Sequence, residues 1–189
     1  MTSRPGMLVA VDGVNGAALE KAARAIVKDN RKSRAAVSGW DASGIFGELV
    51  VAEEDAGLPS ARTLLLLYAA DLAFRLRWEV RPALQEGRTV VVAPYVDTAI
   101  AFGRAAGLDA RSLTEIFAFA PAADARHTVD LAASRSLSER TGFVEFGCDQ
   151  LLGAETKAVR RDLLVRTART LKTLSSVRGR QRQAQGSGG

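Results

Sequence analysis

A short apolar run, Met7-Leu8-Val9-Ala10-Val11-Asp12, leads into Gly13-Val14-Asn15-Gly16 and then into the helix-forming stretch Ala17-Ala18-Leu19-Glu20-Lys21. Strand, glycine-containing turn and helix in that order make the frame of a phosphate-binding loop, G-x-x-x-x-G-K-[ST]. In such a loop backbone N–H groups cradle the phosphates, the lysine neutralises them and the hydroxyl holds Mg²⁺. Here Gly13 fills the first glycine position, Ala18 the second, Leu19 the lysine position and Glu20 the hydroxyl position. Leucine brings no charge. Glutamate puts a negative charge where a helix N-terminus would otherwise attract an anion. Asp12, Gly13, Asn15, Gly16, Ala18, Leu19 and Glu20 thus form a degenerate phosphate loop, and the same segment also reads as an ordinary strand–turn–helix start. Lys21 lies two residues past the lysine position, about 200° around the helix, and cannot substitute for it.

The elements that would position this loop alternate between strand and helix. Residues 7–12 and 89–95 read as buried strands, the latter the clearest in the chain; 35–40 and 127–132 read as further strands. Helical spacing covers 17–29, 97–107, 111–118 and 155–177. Residues 60–85 read as one long helix that Pro82 kinks or ends, and 41–48 as a Gly/Ser-containing loop. The alternating segment 142–147 (GFVEFG) reads as a short strand. This order predicts an α/β fold: a three-layer parallel sheet of four or five strands flanked by helices. The expected organisation is one domain over 1–177 and a disordered basic, Gly/Ser-containing tail over 178–189.

Composition excludes several classes of chemistry. The 189 residues are 47% hydrophobic and 25% charged, as in a soluble globular domain with a full core. No apolar run is long enough to span a bilayer and no signal peptide is recognisable, so a cytoplasmic location is expected. Cys148 is the only cysteine and His127 the only histidine, too few for a disulfide or a Cys/His zinc site. The net charge of +5 is concentrated: Lys157 to Arg182 holds nine Lys/Arg and one Asp. That pattern describes a solvated helix face. Without interleaved aromatics or a known motif, a nucleic-acid partner is not expected.

The middle of the chain carries a specific match. Leu65-Leu66-Leu67-Tyr68-Ala69-Ala70-Asp71-Leu72, then Pro82-Ala83-Leu84-Gln85-Glu86-Gly87, then Val90-Val91-Val92-Ala93-Pro94-Tyr95-Val96-Asp97-Thr98-Ala99-Ile100-Ala101-Phe102 resembles the thymidylate kinase family. That family reads L-L-F-A-A-D-R, then P-x-L-x-x-G, then V-I-x-D-R-Y-x-x-S-x-x-A-Y-Q. Order and spacing hold from Met7 to about Leu131. The resemblance implies transfer of the ATP γ-phosphoryl group to dTMP, a reaction that depends on positioning and charge neutralisation. Carried over residue by residue, the family's loop lysine falls at Leu19, the Asp and Arg of D-R-Y at Ala93 and Pro94, and the Arg of A-A-D-R at Leu72. Its R-E-P loop falls at Trp40-Asp41-Ala42, and its base-reading glutamine at Gly103. What is kept is the apolar and backbone part: Tyr68 at the thymine-stacking position, with Asp71, Tyr95, Asp97 and Phe102. These residues and Leu72 outline a residual nucleoside pocket, or else have become core. Arg126 and Arg135, near the family's Arg-bearing lid, are expected to face solvent.

Two functions follow. The first is a catalytically inactive, thymidylate kinase-like protein that acts through interaction, regulation or ligand sensing, with ATP and Mg²⁺ binding lost. The second is an active nucleotide or nucleoside kinase with a rebuilt phosphate site. The resemblance also implies a homodimer through helix 61–78, whose Leu-rich and aromatic surface exceeds one buried stripe. An unidentified protein partner fits the same surface.

Overall fold

Four strands form a parallel sheet in the order β2-β3-β1-β4: β1 (Met7–Asp12), β2 (Ala36–Gly39), β3 (Thr89–Ala93) and β4 (Ala125–Thr128). The register pairs Leu8 with Val90, Val37 with Val91, and Ala10 with Arg126. The structure, a computed structural model, describes residues 5–30, 34–129, 142–152 and 157–186, with backbone alone for 51–56, 152 and 179–186.

Side-chain alternation along β1 and β3 divides the core into two layers. Val9, Val11, Val91 and Ala93 pack under α1 (Gly16–Asp29) with its Leu19 and Ala23. Leu8, Ala10, Val90 and Val92 face the opposite way. There they meet α3 (Ala61–Arg75), α5 (Val96–Ala105), α6 (Ala110–Ile116), α7 (Phe143–Leu152) and α8 (Lys157–Gly186). β3 is buried along its whole length, the position expected of a central strand covered on both faces. The α/β architecture read from the sequence is the one observed.

Several boundaries differ from expectation, each for a local reason. α2 (Ile45–Ala56) occupies the end of the segment read as loop. Asp41 adopts φ 57°, and its carboxylate accepts the Phe46 N–H at 3.0 Å, which turns the chain into the helix. The long helix does not break at Pro82. It continues from α3 through a π-helical turn (Leu76–Val80) into α4 (Arg81–Gln85), with the Arg81 N–H bonded to the Leu76 carbonyl. Proline lacks an N–H and crowds the carbonyl four residues back, and the wider turn just before it relieves that clash. β4 begins two residues earlier than read and ends at Thr128; residues 130–132 of the expected strand lie outside the described residues.

Residues 142–147 are not a strand: Phe143 opens α7, and Phe143, Val144, Gly147 and Cys148 share its buried face. Among the described residues the sheet therefore has four strands. The α8 backbone stays helical to Gly186, beyond the expected boundary at 177 and into the segment read as a disordered tail. No described helix is long and apolar enough to cross a membrane.

The sheet predicts its own order of opening. Amides of Val90–Ala93 should exchange with solvent only on global unfolding. Those of edge strand β2, where Val37 is 44% exposed, should exchange through cheaper local opening. Residue-resolved hydrogen exchange checks this, and equal protection of the two strands would contradict it.

Candidate functional site

The loop after β1 is short, running from Gly13 to Asn15. α1 already begins at Gly16, so Ala17, Ala18 and Leu19 are helical. Asn15 caps that helix: its side-chain oxygen accepts the Ala18 N–H at 2.9 Å, while its backbone carbonyl accepts the Leu19 N–H at 3.0 Å. Leu19 points inward and is 3% exposed, packed with Val9, Val11, Ala23, Val91 and Ala93. Glu20 forms an ion pair with Arg24 on the next turn, and Lys21 is exposed.

Asp12 holds the strand ends in place. Its Oδ1 accepts the N–H groups of Tyr95 (3.0 Å) and Thr98 (2.9 Å) and the Thr98 hydroxyl (2.8 Å). That hydroxyl in turn accepts the Gly13 N–H at 3.0 Å. The carboxylate is 2% exposed. Burial, with the charge of Asp97 as the next cause, pushes its pKa up to about 6 against the opposing hydrogen bonds of Thr98 and Tyr95.

α7 meets the loop from the other side. The Glu145 carboxylate accepts the Asn15 side-chain amide at 2.7 Å, the Gly16 N–H at 3.0 Å and the Gly142 N–H at 2.9 Å. Gly142 sits so close that an added Cβ would stand 2.7 Å from the Gly16 nitrogen. One residue along, Phe143 lies against Tyr68, ring centroids 4.3 Å apart, and also contacts Phe46, Phe102 and Trp40. Tyr68 is fully buried, and its hydroxyl is within hydrogen-bonding distance of the Pro94 carbonyl (2.9 Å) and the Tyr95 carbonyl (3.1 Å). Burial raises its pKa. Leu72 and Phe102 are fully buried, as is Tyr95, whose hydroxyl donates to the Pro121 carbonyl at 2.7 Å.

Asp71 forms a buried ion pair with Arg75 at 2.9 Å, both fully enclosed. It also accepts the N–H groups of Asp41 (3.1 Å) and Ser43 (3.0 Å) and the Ser43 hydroxyl (2.9 Å), which fixes the Trp40-Asp41-Ala42 segment. Arg75 is the residue the sequence reading missed. An Asp and an Arg four apart on one helix face were the available signal. Its Nη1 donates to the Pro94 carbonyl at 3.3 Å, and its Nη2 is buried with no hydrogen-bond partner among the described residues. A cleft of about 700 Å³ between α1 and β2 is bounded by Leu19, Glu20, Arg24, Val37, Trp40, Asp41 and Pro94.

Asp97 lies elsewhere, in a cavity of about 180 Å³ shared with Asp12, His127 and Ser175. Arg126, expected to face solvent, instead pairs with Asp97 at 3.3 Å, and Arg178 of α8 lies 2.9 Å from the other oxygen. Arg135 is outside the described residues. The sequence-picked residues thus separate into the Asp12–Gly16 loop, the Tyr68–Phe102 aromatic core, the Asp71 floor and the Asp97 cavity. Among the described residues no three His, Cys, Asp or Glu side chains converge as a metal site.

Comparison with known proteins gives a consistent relationship. No protein-family model matches the chain. It is 32% identical over 127 residues to the thymidylate kinase of Leifsonia xyli, covering 61% of this chain and 57% of that protein. It is 27% identical over 168 residues to a probable thymidylate kinase of Pyrococcus abyssi, covering 80% and 78%. The crystal structure of thymidylate kinase from Ehrlichia chaffeensis superposes with a TM-score of 0.62 at 13% identity, over 91% of this chain and 85% of that one. Over several of the curated relatives that it matches, the chain spans only a third to three fifths of their length. It is a thymidylate kinase-like protein in sequence and fold.

Asp12 makes stability depend on pH. Its folded pKa of about 6 stands above the usual 3.8, so the folded state binds the proton more tightly. The stabilisation is complete below 3.8 and is lost as pH rises through 6, a change of about 3 kcal/mol. Urea midpoints from pH 4 to 7 should fall in wild type by more than in Asp12→Asn, which carries no titrating proton there. Parallel profiles would refute this.

Proposed function

We propose that this thymidylate kinase-like protein does not transfer phosphoryl groups and acts through interaction. The observation that carries the reading is Leu19. At the position where the loop lysine would reach a phosphate, this side chain is 3% exposed and faces the core. A phosphate placed at the loop would find the Ala18 and Leu19 N–H groups already bonded to Asn15. It would find a glutamate at the hydroxyl position, and Ala93 and Pro94 at the end of β3. These residues do not fit ATP or Mg²⁺: the backbone cradle, the cation and the metal-binding oxygen are each replaced.

The runner-up is a working kinase with a rebuilt phosphate site. The unpartnered Nη2 of Arg75 beneath Pro94 favours it. Full burial and the pair with Asp71 weigh against it, since reaching a ligand would mean breaking that pair.

For the interaction we infer a second copy of this chain on the α3 face. Leu66 (50% exposed), Ala70, Phe74 (40%) and Trp78 (62%) stand four apart along the outer side of the helix. Such an apolar ridge is unusual on a free surface.

A coupled assay with ATP, Mg²⁺ and dTMP should detect no turnover; a rate above about 0.01 s⁻¹, a hundredfold below the usual enzyme range, overturns the proposal. Leu19→Lys should restore nothing and should lower stability by about 2 kcal/mol or more, because it buries a charge. A lysine tolerated there without loss would mean that the position is open to ligand after all. Light scattering at tens of micromolar should give a dimer, and Trp78→Glu a monomer.

A further inference from the structure

α7 has no part in the function proposed above, yet it makes the closest contacts with the loop. Its first residue follows Gly142, and Glu145 is at the third helical position. The Glu145 carboxylate reaching back to the Gly142 N–H is half of a capping box. The same Oε2 takes the Gly16 N–H of α1, and Oε1 takes the Asn15 amide. Two helix N-termini therefore face each other, each with N–H groups that have no acceptor within their own helix and with a positive dipole end. A single carboxylate sits between them. Without it the two ends would repel, and Gly142 could not rest against Gly16.

The second contact is apolar. Phe143 inserts its ring among Tyr68, Phe102 and Phe46, and Gly147 leaves room for the Phe102 ring, which an added Cβ would approach to 2.7 Å.

We propose that α7 is a latch on the loop, with the Glu145 carboxylate standing in, from inside the chain, for an anion bridging the N-termini of α1 and α7. The stand-in rests on the reading that no nucleotide occupies the loop; the latch contacts do not. The latch is electrostatic at Glu145 and apolar at Phe143, so removing the charge frees the N-terminal end of α7 while the sheet core stays folded.

Cys148 reports on this directly. It is the only cysteine and is fully buried on α7, and burial pushes its thiol up to about 12. Its labelling by DTNB at pH 8 should be slow in wild type. In Glu145→Ala it should be about tenfold or more faster than in Val91→Ala, a core variant on the sheet face opposite α7, at matched global stability in urea. Pyrophosphate at about 10 mM, compared with sodium chloride of equal ionic strength, should slow labelling of Glu145→Ala and leave wild type unchanged. Glu145→Gln keeps one acceptor without the charge and should label at an intermediate rate; it serves as the test variant if the alanine variant does not fold. Labelling rates that simply track global stability would overturn the latch. Pyrophosphate acting equally on wild type, or not at all on the variant, would overturn the stand-in. Micromolar MgATP binding by wild type with the labelling pattern unchanged would remove the proposed function and keep the latch.

Discussion

Backbone N–H groups crowd the carboxyl end of this sheet, and something negative must meet them. Strand ends, a tight loop and two helix N-termini converge there, and buried N–H groups left unbonded are costly. In a phosphate loop the ligand supplies much of that negative charge. Here three carboxylates supply it. Asp12 takes the N–H groups of Tyr95 and Thr98, Asp71 those of Asp41 and Ser43, and Glu145 those of Gly16 and Gly142. Each acid joins segments distant in sequence, so the architecture of this end depends on them more than on any single apolar contact.

The acids differ in how their charge is compensated, and that sets their cost. Asp71 has Arg75 within 2.9 Å, so a cation compensates its burial. Asp12 has three hydrogen bonds to one oxygen, yet its burial, and after it the repulsion of nearby Asp97, raise its pKa. Asp97 itself is held by Arg126 and Arg178, which ties β4 and α8 to the start of α5. The last Arg before the basic end of α8 is therefore spent on a buried carboxylate of the sheet end, whereas Lys157, Arg161, Arg169 and Lys172 are exposed.

Much of this was legible from residue order. The apolar runs 7–12 and 89–95 announced β1 and β3, and the strand–turn–helix frame placed Leu19 and Glu20 on α1. Three features were not legible, each because a tertiary partner decides it. Alternation in 142–147 resembled a strand, but Gly142 with glutamate three residues later is also a helix start, and only the approach of Gly16 selects between them. The Gly and Ser of 41–48 suggested a loop, whereas the Asp41 carboxylate turns the chain into α2. Arg75 was not singled out, because the aspartate that it pairs with also organises a loop thirty residues earlier, a contact that only the fold creates.

Where the motif of the family that the chain resembles carries cations, this chain has Leu19, Leu72 and Pro94, and the backbone around them is organised by Asp12, Asp71 and Glu145. A phosphate at the loop would meet Glu145 already on the Gly16 N–H, and the Ala18 and Leu19 N–H groups already bonded to Asn15. Displacing Glu145 would expose two helix N-termini to each other. Displacing Asp12 would loosen the ends of β1 and β3 together. An anion would reach the Gly16 N–H only by displacing Glu145, a contact that also holds the start of α7.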